Sequence, residues 1–362
     1  MPFLIRFGSY GAGACLAGAL LAGCGSGGPS SFGPSGLTQL ARLHDAALTM
    51  PRFVQPHVHA DHGQSFMRPD KKNGALLYVG DWSTNDVYVY DYPSGVSVGS
   101  ITGNDEPYGM CVDSKGDVYV ANFGNGTVNE YAHGGTSPIN TYSPGGELIG
   151  CSISAKGDVA VTSFDPGEVI VYPKGKTTGD TVYRDSSCQY EWGAGYDAAG
   201  DLVGVGEYTS VDVCALLAGS KTETVLTESG ITIDFPAGTT WDGKYIALGD
   251  QEAGGTYKTG VWPSAISGTT ITAESAEVMF SESCKSNYTD DVNPFFTNGT
   301  GENITPKSRK QAKYMVGPDV SCLNLTVADI WNYPAGGAPI KTILLKPGEP
   351  YSVAVSIAPH QR

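Results

Sequence analysis

Charge is what this sequence has least of. Charged residues make up 16 % of the 362, and the basic ones are the scarcer, 22 Lys and Arg against 37 Asp and Glu. A formal net charge of −15 repels phosphate backbones and anionic headgroups, which excludes a DNA- or RNA-binding role. Such a surface favours cations or neutral ligands. No Cys-x-x-Cys pair occurs, which argues against a zinc site of that spacing or a thioredoxin-like motif. No Gly-x-Ser-x-Gly is expected to form a nucleophile elbow, and the sequence pairs no serine convincingly with a histidine outside residues 57–62. His133 sits in a Gly-rich turn and His360 in the C-terminal tail, so a Ser-His-Asp triad is not expected.

Glycine and tyrosine are abundant instead, 49 and 20 residues, with 40 % of the chain hydrophobic. That composition suits many short strands joined by tight turns around a packed core. From Gly74 onward the chain repeats itself. Leu77-Tyr78-Val79-Gly80-Asp81-Trp82 matches Val118 to Phe123, Val159 to Phe164, Leu202 to Tyr208, Tyr245 to Asp250 and Lys313 to Asp319. Glycines at 116, 157, 200 and 243 sit in the turns before four of these segments, spaced by 41, 43 and 43 residues. A period near ~40 with about four strands per unit is the signature of propeller blades. A third strand follows in each unit, as in Val87 to Tyr92 and Ala328 to Tyr333, and ends in a Pro- or Gly-containing turn.

Glu349-Pro350-Tyr351-Ser352-Val353-Ala354-Val355 copies Glu106 to Val112, an innermost strand, but no further repeat follows it. The strands at 77–82 and 86–92 lack an inner partner. The prediction is an all-β fold, a six-bladed β-propeller whose C-terminal strand completes the first blade and removes exposed edges. The sixth unit is the least regular. Its inner strand is expected near Asn293 to Thr297, followed by the polar insertion Asn298 to Asn303. The segment Pro107 to Asn122 resembles an NHL-type repeat, which reads roughly Pro-x-Gly-x-x-x-Asp-x-x-Gly-x-x-Tyr-Val-Ala-Asp. The match is good over this unit and partial over 148–217. Related six-bladed rings include the gluconolactonase/SMP-30 group and many bacterial secreted lipoproteins, and the chain is most similar to the last. The resemblance bears on architecture more than on activity.

The N-terminal region points the same way. Arg6 precedes the apolar stretch Tyr10 to Ala22, which is too short for a spanning helix of ~20 residues. Leu21-Ala22-Gly23-Cys24 resembles the lipobox of a bacterial lipoprotein. That resemblance implies a signal peptide over 1–23, a lipid on Cys24 and residence in the cell envelope outside the cytoplasm. With Gly at 25 where an inner-membrane retention signal carries Asp, it implies the outer membrane if the cell has one. The alternative is an ordinary secretory signal. Residues 24–36 read as a flexible tether, 37–73 as an irregular segment with a short helix at Leu37 to Leu48, and 74–359 as the propeller.

Five features bear on chemistry. Glu106, Glu147 and Glu349 each stand three residues before the Gly or Ser of an inner strand, and Glu191 and Asp234 sit one residue later in their blades. Inner strands start at one face of the ring, so these acids are placed to converge at the channel mouth. There they would bind a hard cation such as Ca²⁺, raise one another's pKa, or simply cap turns and face water. The gluconolactonase resemblance implies a divalent cation on the channel axis, although its Glu, Asn and Asp ligands do not match here residue by residue. His57, His59 and His62 with Asp61 form a second set with affinity for Zn²⁺ or Cu²⁺, or else an ordinary loop packed on the propeller. Six cysteines, Cys111, Cys151, Cys188, Cys214, Cys284 and Cys322, are expected to form disulfides in an oxidising compartment. Fifteen pairings exist, and position in the repeat favours 111–151, 188–214 and 284–322. For the first pair, neighbouring inner strands must approach within the ~5.5 Å that a disulfide spans. Finally, Trp82, Phe123, Phe164 and Tyr208 recur at one blade position, as inter-blade core or as a sugar platform. The leading expectation is a surface-anchored, non-catalytic module binding a protein or carbohydrate partner and touching the membrane only through its lipid. The alternative is a divalent-cation-dependent hydrolase of the lactonase or esterase kind.

Overall fold

The computed structural model describes residues 63–184, 191–207, 211–255, 258–281, 295–298, 301–308, 310–319, 326–346 and 348–358, all within one compact unit. Cys24, His57, His59, His62, Cys188, Tyr208, Cys284 and Cys322 lie outside them, as does the segment 37–62.

Six sheets, antiparallel but for one parallel edge pair, form six blades. Their innermost strands are, in ring order, Pro350–Ile357, Pro107–Val112, Leu148–Ile153, Glu191–Tyr196, Pro236–Trp241 and Phe295–Thr297. Each touches the next, and the sixth touches the first, so the ring is closed. Closure uses the last strand as expected. Pro350–Ile357 pairs with Ala75–Asp81 over Leu77↔Val355 and Val79↔Val353, while Asp86–Asp91 and Val96–Ile101 complete the blade. This brings the strand furthest along the chain to the centre of the first blade, where Val353, Ala354 and Val355 are all buried.

The N-terminal margin differs from the irregular reading of residues 37–73. Phe66–Met67 adds an outer strand to the first blade, pairing Phe66↔Ser100 and Met67↔Gly99, so sheet structure begins before Gly74. The fifth blade is also broader than the repeat predicts. Thr227–Ser229 runs parallel to Thr270–Ala273, and Val278–Met279 pairs with the third strand. The sixth blade has its short inner strand at Phe295–Thr297 within the expected interval.

Four of the six blades repeat the same turn chemistry. Gly116, Gly157, Gly200 and Gly243 have φ of 92°, 94°, 94° and 97°, a region that side chains disfavour. In all four of these turns a short polar side chain bridges the backbone: Asp113 accepts from Lys115 N and Asp117 N, Ser154 from Gly157 N and Asp158 N, Asp197 from Gly200 N and Asp201 N, and Asp242 from Lys244 N and Tyr245 N. Between blades, packing is aliphatic and tyrosine-rich; Leu76, Leu77 and Tyr78 are fully buried. At the centre, glycine sets the spacing. A Cβ on Gly109 would stand 2.5 Å from the Ile149 carbonyl, and one on Gly195 2.7 Å from that of Thr239. Inner strands thus meet backbone to backbone, close enough for Cys111 and Cys151 to be bonded across the second and third blades with a Cα separation of 5.6 Å. Cys214 is disulfide-bonded as well, to a cysteine outside the described residues.

Candidate functional site

Strand direction divides the connections between two faces. Inner strands start at what is here called the entry face. The loops after each second strand and before each inner strand lie there, and the Gly-containing turns lie on the opposite face.

At the entry face, the predicted acids do their structural work with their main chains. Trp82 N donates to Glu349 O at 2.8 Å, Phe123 N to Glu106 O at 2.9 Å, and Phe164 N to Glu147 O at 2.8 Å. This repeated bond ties the end of each second strand to the start of its own inner strand. Asn85 Oδ1 accepts from Glu106 N at 2.8 Å, holding that residue at φ 53°. In the fifth blade the equivalent bond, Gln251 N to Phe235 O at 2.8 Å, puts Phe235 in the place of Glu106. Asp234 therefore stands one residue before its counterparts rather than one after. Glu349 is exposed, and Glu106, Glu147 and Asp234 are half-buried. Glu191 opens the fourth inner strand, paired with Gly206, and its side chain is not among those described.

Asp234 belongs to a carboxylate group in the fifth blade. Asp250, fully buried, accepts from Asp234 N at 2.8 Å, Phe235 N at 3.0 Å and Glu252 N at 2.9 Å. Asp234 Oδ2 accepts in turn from Gly255 N at 2.6 Å. Burial outweighs those donors and pushes Asp250 up to about 6. Glu277, half-buried beside it, is pushed up to about 8, first by burial and then by the charges of Asp250 and Asp234. Among the described residues, no three His, Cys, Asp or Glu side chains are grouped to hold a metal ion.

The entry face also gathers aromatic rings. Trp82, Tyr108, Phe164, Trp192 and Ile149 pack into one buried cluster, with Phe123, Phe235 and Tyr351 against it and partly exposed. Tyr108 stacks on Tyr351 at 4.9 Å with planes 12° apart, Trp82 meets Phe123 at 4.8 Å, and Trp192 meets Phe164 at 5.8 Å and Phe235 at 5.1 Å. These residues come from five consecutive blades, and the ring contacts run between neighbouring strands and blades, forming an aromatic layer on the entry side. Of the recurring set Trp82, Phe123 and Phe164, the first and last are core and Phe123 is half exposed. The partners Tyr108, Trp192, Phe235 and Tyr351 were not singled out by sequence as site residues. Their signal was the Pro-Tyr pair that opens two inner strands, at 107–108 and 350–351.

Beneath this layer a cavity of about 60 Å³ runs toward the opposite face, lined by Met110, the Cys111–Cys151 bridge, Thr239, Trp241 and Ile304. It has room for a few waters, far below the several hundred Å³ of a typical ligand pocket. The sixth-blade insertion closes over it, with Asn303 Nδ2 donating to Val112 O at 2.8 Å. The sequence Gly95-Val96-Ser97-Val98-Gly99 runs along the outer strand Val96–Ile101, with no elbow for a nucleophile.

No protein-family model and no curated protein matches the sequence. Solved structures do match in fold. A chain from a crystal structure of a nidogen/laminin complex superposes with a TM-score of 0.56 at 12 % identity, over 79 % of this chain and 99 % of that one. A Kuenenia stuttgartiensis hydrazine synthase chain matches at a TM-score of 0.48 and 18 % identity, over 76 % of this chain and 80 % of that one.

Proposed function

We propose that the chain is a non-catalytic binding propeller, held in the cell envelope by a lipid on Cys24, that receives its partner on the entry face. The observation that supports this reading most is the aromatic layer. Its buried members make a rigid floor, and Phe123, Phe235 and Tyr351 keep partly exposed surface above it. Rigid rings give contact area at little conformational cost, as binding surfaces require. The acids Glu106, Glu147, Asp234 and Glu349 rim the same mouth. The alternative, a divalent-cation-dependent hydrolase, would need oxygens converging on one ion at the channel mouth.

The test is binding of immobilised glycans and peptides by the full chain and by a Phe123→Ala/Tyr351→Ala variant. A ligand that the variant binds about tenfold or more weakly, with unfolding otherwise intact, supports the entry face. Ligands lost instead on substitution of Lys156 and Lys174, on the opposite face, overturn it. So does one divalent ion per chain, removable only by chelator, together with lactone or ester turnover.

A further inference from the structure

Among the described residues the entry face is almost purely acidic, whereas the opposite face mixes lysines with acids such as Asp70, Asp158 and Asp180. Asp105, Glu106, Glu147, Asp165, Asp234 and Glu349 stand in entry-face connections, exposed or half-buried. Among the described residues only Arg184, Lys258 and Lys346 bring positive charge there. Two of these are engaged: Arg184 is bonded to Glu168 at 2.8 Å, and the Lys346 ammonium lies 4.5 Å over the ring of Tyr88. The exposed lysines collect on the opposite face instead, at positions 72, 115, 156, 174, 244 and 310. Among the described residues, the aromatic cluster therefore shares its face with carboxylates and few competing cations.

From this we infer that the entry face binds a lysine- or arginine-rich segment of a partner protein. This rests on the binding reading above and names the partner's chemistry. Two forces act together at this mouth. Negative rim charge steers a cationic chain toward it, an effect that salt screens. The faces of Phe123, Phe235 and Tyr351 then offer cation–π contact and cover for the methylene stems of Lys and Arg. A neutral sugar would use the rings but gain nothing from the rim. An anionic ligand would be repelled. A metal ion would use the rim but gain nothing from the rings. The basic segment alone uses both.

The probe is a fluorescently labelled octa-arginine peptide, with an octa-glutamate peptide as control, titrated against the full chain at low and physiological salt. Octa-arginine is expected to bind and octa-glutamate not to, with affinity falling as salt rises. Glu147→Gln/Glu349→Gln is expected to weaken binding about fivefold. Phe123→Ala/Tyr351→Ala should weaken it about tenfold, even at physiological salt. Asp180→Asn, an exposed acid on the opposite face, should leave it unchanged. Binding lowered equally by Asp180→Asn and by the entry-face acids, with no effect of the rings, would mean general acidity and overturns the inference. No octa-arginine binding, while a neutral glycan or peptide is held at Phe123 and Tyr351, sinks the basic partner and leaves the binding module standing. Binding of neither sinks both.

Discussion

At the residue scale, the centre of the ring depends on side chains that are missing. Gly109, Gly150 and Gly195 let inner strands approach where a Cβ would collide with the next strand or blade, at 2.5, 2.7 and 2.7 Å. The sequence showed these glycines as repeat markers but not as contact points, because spacing along a chain carries no distance between blades. That is also why the 111–151 disulfide was hard to judge from sequence. Whether it forms depends on how close two inner strands come, and that closeness is set by residues other than the cysteines. The carboxylates of the fifth blade were equally hidden. Asp234 was visible as a loop acid, whereas Asp250 lay in a strand-end position shared with Asp81, Asn122 and Ser163. Their proximity to Glu277 yields a prediction. Glu277 rises from its ordinary 4.5 to about 8 in the folded protein. Between those values the folded state keeps a proton that the unfolded chain releases, so stability falls as pH rises through that window and levels off above it. Asp250, raised to about 6, adds to the same trend lower in the range. Glu277→Gln removes the titrating group and should flatten the profile. Thermal unfolding of both forms at pH 5, 6.5 and 8 checks this. Midpoints that fall in parallel would show that Glu277 is not the source.

At the element scale, blade count and closure were legible because four of the six blades repeat one local solution and the last strand copies an inner one. In those four a Gly-containing turn at positive φ joins the first two strands, a short polar side chain ties that turn, and alternating apolar residues face the neighbouring blade. Such signals are local, so they survive in sequence. The additions to the first and fifth blades were not legible, because two- and three-residue edge strands such as Phe66–Met67 and Thr227–Ser229 are too short to show alternation. The acids were recognised as loop residues, but their main-chain role was not. Their main chains, not their carboxylates, perform the repeated task of binding Trp82, Phe123 and Phe164. The disulfide is the one covalent tie between blades among the described residues, and it closes a loop 40 residues apart in sequence. A Cys111→Ser/Cys151→Ser double variant should lose about 4 kcal/mol of stability by the loop-entropy estimate. Urea denaturation without reductant measures the loss. A change under about 1 kcal/mol would mean that the unfolded chain is already restricted over this loop, so the cross-link removes little of its entropy.

At the scale of the whole molecule, one strand decides whether six sheets behave as a single body. A propeller whose ends were not joined would leave two raw edges, the Ala75–Asp81 strand on its inner side and the sixth blade beside it. Pro350–Ile357 covers both, pairing with the first and contacting Phe295–Thr297 and Tyr314–Asp319 of the sixth blade. It does so from the far end of the chain, which makes every blade's position depend on the first and last meeting. Removing residues 350–362 should therefore abolish cooperative unfolding and promote association through the uncovered edge, seen as a broadened transition and as oligomers in light scattering. A truncated chain that simply fails to fold would be uninformative, so a second variant completes the argument. The closing strand ends, and Ala75 begins, on the same face, with Ile357 paired to Ala75. Residues 349–358 moved ahead of Ala75 through a short turn would supply the same inner strand from the other end of the chain. If covering the edge is what matters, this permuted chain should recover a monomeric, sharp transition. If it stays broad while the full chain is sharp, the covalent route of the strand from the sixth blade, and not its pairing in the first, is what holds the ring closed.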